Sequence, residues 1–119
     1  MPARLPRALV LPALGVALGA GLIGCGKSAD QTVDVTATED ACTLSTTTLD
    51  TGKTAFEVKN DSGDEAEAYV YTADGDKVDE VEGIADGITR TLTVDLEAGS
   101  YEFACKPGTK DIRADFTVR

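Results

Sequence analysis

Histidine and tryptophan are absent from this 119-residue chain, and three phenylalanines with three tyrosines make up its whole aromatic content. Without an imidazole there can be no Ser/His/Asp or Cys/His nucleophile system and no HExxH zinc site. Histidine-ligated copper, haem and non-haem iron centres are excluded in the same way. Basic residues are also scarce. Two of the 11, Arg4 and Arg7, stand in the first 24 positions, which leaves 9 basic against 21 acidic side chains and a net charge of −12 over residues 25–119. A chain of that sign is repelled by nucleic acid, which is not expected as a partner. After residue 31 no apolar pattern at i, i+3, i+4 persists for a substantial helix, and only Asp79 to Ala85 could hold a single turn. What remains is one small domain.

The amino terminus has the order of an export signal. Arg4 and Arg7 precede an apolar run from Ala8 to Ile23 that is interrupted by Pro12 and ends at Gly24-Cys25. The run is too short to cross a bilayer, which takes roughly 20 apolar residues. Leu22-Ile23-Gly24-Cys25 resembles the bacterial lipobox, in which the cysteine is diacylated and becomes the first mature residue. The resemblance implies a signal peptide over residues 1–24, a lipid-modified Cys25, and anchorage of the folded part to the outer face of a membrane by two acyl chains. Residues 25–32, with Gly26 to Gln31 nearly free of apolar side chains, read as a flexible tether. An extracytoplasmic location permits disulfides.

From Val33 the period is two. Val33, Val35 and Ala37 alternate with polar neighbours, as do Phe56 and Val58, and then Ala66, Ala68 and Val70. Leu92-Val94-Leu96, Tyr101-Phe103-Cys105 and Ala114-Phe116-Val118 form three further one-sided faces. Turn signals at Asp50-Thr51-Gly52-Lys53, Asn60-Asp61-Ser62-Gly63, Asp74-Gly75, Asp86-Gly87 and Ala98-Gly99 separate them. The expected architecture is an all-β, antiparallel sandwich of seven or eight strands over residues 33–119.

Three phenylalanines make a small core, and a crosslink would help such a chain. If Cys25 is lipidated, Cys42 and Cys105 remain as an even pair. A disulfide between them would contribute about 4 kcal/mol by restricting the unfolded chain. Alternatively the two thiolates could bind a soft or borderline metal, Cu(I) or Zn(II). The two states compete for the same sulfurs.

Tyr101-Glu102-Phe103-Ala104-Cys105-Lys106-Pro107-Gly108, a short loop and the strand Ala114 to Val118 resemble the end of a cupredoxin. The resemblance implies a Greek-key β-sandwich and a strand that delivers a copper thiolate, followed by a loop that contributes His and often Met. Here Lys106 to Ile112 contains neither, so a blue-copper site is not expected. A further resemblance, covering residues 33–119, is to the amino-terminal cupredoxin-like domain of EfeO, the periplasmic component of an iron-uptake system. It rests on Cys42 before a Thr-rich strand, Thr51-Gly52-Lys53-Thr54-Ala55-Phe56, Glu67, the stretch from Val78 to Gly87, and Leu96-Glu97-Ala98-Gly99-Ser100-Tyr101 leading to Cys105. It implies Cys42, Glu67 and Cys105 as metal ligands, iron or copper as the metal, and an iron permease or another metal-uptake component as a partner. EfeO also has a helical domain with a His-x-x-Glu motif, and this histidine-free sequence is not expected to share the iron handling of that domain.

The alternation phase groups Glu67 with Glu65, Tyr69 and Tyr71, a solvated sheet face, unless Glu67 turns toward the cysteine pair. The ten carboxylates between Asp61 and Asp86 read first as a solubility feature, and Asp79-Glu80-Val81-Glu82 is no EF-hand. Catalysis is not expected and no catalytic residue is assigned, since paired carboxylates need a concave, partly apolar site that a small sandwich does not offer. The sequence therefore points to a lipid-anchored metal-binding or iron-uptake accessory protein. The competing reading is a metal-free interaction module stapled by its disulfide.

Overall fold

The alternating segments become strands in a computed structural model that describes residues 28–119. The expected signal peptide and Cys25 lie outside the described residues. β1 (Gln31–Ala37), β2 (Cys42–Leu44), β3 (Thr48–Leu49), β4 (Gly52–Asn60), β5 (Ala66–Thr72), β6 (Lys77–Ile84), β7 (Thr89–Leu96), β8 (Gly99–Pro107) and β9 (Ile112–Val118) follow in chain order. They form a four-stranded sheet, β2-β1-β4-β7, packed on a five-stranded sheet, β3-β9-β8-β5-β6. Among the described residues nine strands stand where seven or eight were expected, because β2 and β3, three and two residues long, are too short to show a period. β1 begins at Gln31, two residues ahead of the expected boundary at Val33.

The sandwich is mixed rather than antiparallel. β1 lies parallel to β4 and β3 parallel to β9. The cause is the segment between β1 and β4, which first pairs back on β1 as β2, crosses to the other sheet as β3, and returns beside β1. Side-chain alternation reports which face is buried and is silent on direction, so this pairing left no trace in the sequence.

The segment that could have held a helical turn, Asp79 to Ala85, is strand as far as Ile84. In β6 the register passes from Ala68↔Val81 to Ala66↔Ile84, so that Glu82 and Gly83 together oppose Glu67. This β-bulge places the buried Val81 and Ile84 three residues apart, the spacing that mimics a helix. Gly83 adopts φ 67°, a backbone that a residue with a Cβ takes only with strain.

The inner faces meet in one core. Phe56 of β4 packs between Phe103 of β8 and Phe116 of β9, with ring centroids 5.0 and 5.6 Å away. Val33, Val35, Val58, Val70 and Ile84 close around them. Polar groups enter this interior only where they are paired. Asn60, fully buried at the end of β4, donates from Nδ2 to the carbonyls of Asp64 (2.7 Å) and Ile84 (2.8 Å), and its Oδ1 accepts from the Ser62 amide and hydroxyl. It fixes the 61–65 loop and joins the end of β4 to the end of β6, with its polar atoms satisfied.

Candidate functional site

Cys42 and Cys105 form a disulfide, with Cα atoms 5.6 Å apart. Cys105 is fully buried on the inward face of β8, in the middle of the five-stranded sheet. It lies there because β8 alternates Tyr101, Phe103 and Cys105 inward against Glu102, Ala104 and Lys106 outward. Cys42 opens β2, the edge strand of the other sheet, and is half-buried. The bond therefore crosses the sandwich and ties to β8 a strand that holds β1 through only three paired residues.

Glu67 is not near these sulfurs. β5 pairs Ala68 with Cys105 and Glu67 with Lys106, and Ala66, Ala68 and Val70 point inward. Glu67 therefore stands on the outer face, and the expected ligand set of Cys42, Glu67 and Cys105 is divided by the sheet itself. Strand geometry is the reason: a residue one position from an inward-facing neighbour faces outward. Among the described residues, no group of three or more His, Cys, Asp or Glu side chains is placed to hold a metal ion.

On that outer face Glu67 belongs to an ordered cluster. It accepts a 2.7 Å hydrogen bond from the Tyr69 hydroxyl. The Tyr69 and Tyr71 rings stack with centroids 5.7 Å apart, and Lys106 Nζ sits 4.2 Å from the Tyr69 centroid while donating to Tyr71 Oη at 2.9 Å. Arg113 lies over Tyr71 and reaches both carboxylate oxygens of Asp111 and Oε1 of Glu102. Together these side chains cover Ala104, an outward residue with no exposed surface. The hydrogen bond to Glu67, followed by burial, pushes the Tyr69 phenol well above its ordinary range, and Asp111 holds the Arg113 guanidinium in its charged form. Beside them Glu82 is raised by its hydrogen bond and charge contact with Glu80, whose own value is lowered by that bond and by Lys77. These are cation–π and charge-assisted contacts, with every cation above a ring or beside a carboxylate. The arrangement is a cover over the outer face of the sheet.

The loops at one end of the sandwich surround an open depression of about 700 Å³, lined by Thr38, Glu39, Asp40, Asp61, Asp86 and neighbouring small residues. Three of its carboxylates are already engaged: Asp86 accepts from the Gly63 amide at 2.9 Å, Asp40 pairs with Lys110 at 3.5 Å and Asp61 with Lys59 at 3.8 Å.

The model of the cupredoxin-like domain matches residues 9–118. The chain belongs to this family. The cupredoxin-like domain is also similar in fold to auracyanin B, with a TM-score of 0.63 at 16% identity, over 80% of this chain and 93% of that one. A second auracyanin, the dithionite-reduced protein of the photosynthetic bacterium Roseiflexus castenholzii, gives 0.53 at 14% identity, over 77% and 99%. No curated protein matches the chain in sequence.

The copper centre that a cupredoxin implies does not fit the residues of this domain. The sulfur that would serve as its thiolate, Cys105, is bonded to Cys42, and the chain has no imidazole. A disulfide sulfur is a poor ligand, so the donor set for a type 1 site is missing. Two structural features escaped the sequence reading. Asn60 read only as part of a turn, since burial of an amide has no local signature. Lys106 over the tyrosines could have been found from parity alone, because it shares its face of β8 with Ala104 and that face pairs with Glu67 and Tyr69.

Proposed function

We propose that this chain is a lipid-anchored, extracytoplasmic cupredoxin-like module that works through its surface, as an accessory to a metal-uptake system of the EfeO type. The observation that carries this reading is the Cys42–Cys105 disulfide, which engages both sulfurs a metal would need, while the β5–β8 register keeps Glu67 on the far face of the sheet. Supporting it, the leader ending at Leu22-Ile23-Gly24-Cys25 provides a site for acylation, and a disulfide is stable outside the cytoplasm. In this reading the domains are a signal peptide over 1–24, an acylated tether from Cys25, and the folded module, with the membrane and an iron permease as partners. No catalytic role is assigned to any residue in this reading.

The second reading is direct binding of iron or copper. It is favoured by one observation: with Cα atoms 5.6 Å apart, reduction would leave two thiols side by side, able to hold a soft ion such as Cu(I). Iron uptake by cells that lack the protein, complemented with wild type or Cys25→Ala, tests the accessory role. Uptake should fall in the variant that cannot be anchored, and uptake equal to wild type would remove iron acquisition from the account.

A further inference from the structure

We infer that the module meets the phospholipid bilayer end-on, through the end that carries Asp30, Lys53, Glu97 and Arg119, and turns the opposite end outward. This rests on the acylation of Cys25 proposed above and specifies how that anchor presents the domain. β1 and β4 both run away from the end at which the chain enters the sandwich, and β8, antiparallel to β5, starts there as well. The entry point is pinned. Asp30 donates its amide to the Lys53 carbonyl at 2.7 Å, and its carboxylate accepts the Lys53 amide at 3.0 Å. The carbonyl of Arg119 meets the Thr51 amide at the same end. Asp30, the point from which any connection to Cys25 must start, therefore stands at the end of the sandwich.

Two lengths decide the geometry. Four residues lie between Cys25 and Asp30, and the five chain steps that join them, at about 3.4 Å each when extended, reach no more than about 17 Å. The nine-residue strands β4 and β8 make the sandwich about 30 Å long. The loops at residues 38–41, 61–65, 85–88 and 108–111 can touch lipid only if the whole domain lies on its side. Nothing drives it to do so. Among the described residues the exposed large apolar side chains are Val78 and Ile88, which sit toward opposite ends and form no patch. The outward end is then the one that carries Cys42, the end of β8 with Cys105, and the acidic depression.

The test uses the full chain with its own leader, acylated in a bacterial host and reconstituted into phosphatidylcholine–phosphatidylglycerol vesicles that contain a quencher-labelled headgroup. A donor dye is placed at Asp74→Cys, near the anchored end, or at Thr109→Cys, near the free end, without reductant so that Cys42 and Cys105 do not react. Glu97→Cys and Glu39→Cys form a second pair at the same two ends. With a height difference of about 30 Å, quenching at 74 and 97 should exceed that at 109 and 39 by roughly twofold or more. Equal or reversed quenching in an acylated, vesicle-bound protein would overturn the end-on arrangement alone. A protein that lacks acyl chains by mass and does not float with the vesicles would overturn the anchor and this inference with it.

Discussion

Replacing Cys42 with serine removes the cross-sheet bond at its more exposed end. The lost closure spans 63 residues, which corresponds to about 4 kcal/mol in the chain-entropy description. Small domains have about 5–15 kcal/mol in total, so the bond is a large share of what keeps β2 and β8 together. The remaining Cys105 thiol stays buried among Phe103, Val70 and Ala68 as a small apolar group and adds little further cost. Cys105→Ser should be worse, because a hydroxyl left in that interior without a partner costs about 1–3 kcal/mol more. Urea denaturation followed by far-UV circular dichroism measures both. For a domain of this size 1 kcal/mol moves the thermal midpoint by about 4–8 °C, so Cys42→Ser should melt roughly 16–32 °C below wild type. Reductant should bring wild type down to the Cys42→Ser value and leave that variant unchanged. A loss under about 1 kcal/mol, or a wild type indifferent to reductant, would refute the assignment of the bond as the staple of the fold.

Other expected outcomes follow from the core, the buried amide and the outer cluster. Phe56→Ala should cost about 3–5 kcal/mol in the same denaturation assay, since it empties the space between Phe103 and Phe116. Asn60→Ala should cost about 1–3 kcal/mol by leaving the carbonyls of Asp64 and Ile84 without their donor, and faster amide exchange in the 61–65 loop should accompany it. In an alkaline titration followed by tyrosinate absorbance, Tyr69 should ionise well above the ordinary phenol range, and Glu67→Gln should bring it back toward that range. Because the folded protein keeps that proton when the unfolded chain has lost it, stability should decline as pH rises past about 10. Asp111 shows the opposite sign: Arg113 lowers its folded value, so its contribution is present above the ordinary carboxylate range near 3.9 and is lost as pH falls through the lower folded value. Asp111→Asn should flatten the acid limb of a pH–stability curve.

The buried face of each long strand was legible because alternation is a local property. Val33-Val35-Ala37, Ala66-Ala68-Val70 and Tyr101-Phe103-Cys105 all point inward as their period required. The same parity rule placed Glu67 with Tyr69 and Tyr71, and the structure keeps it there. Resemblance to a metal-binding family drew Glu67 toward the cysteines, and strand geometry prevents that meeting. Pairing direction, the bulge at Glu82–Gly83 and the two-residue β3 were not legible, because each depends on which distant strand lies alongside. The state of Cys42 and Cys105 was open in the sequence for a different reason: both the bonded and the metal-binding form require the two sulfurs to be close, so proximity alone does not choose between them.

The central claim, that the sulfur pair is committed to a bond and not to a metal, is tested most directly by native mass spectrometry of the protein extracted from its membrane without chelators. The spectrum is recorded before and after thiol alkylation and with Cu(I), Cu(II) or Fe(III) added. The account predicts a mass short by two hydrogens, no alkylation and no stoichiometric metal. Free thiols that react with the alkylating agent, together with one bound metal that alkylation displaces, would contradict it and make Cys42 and Cys105 ligands.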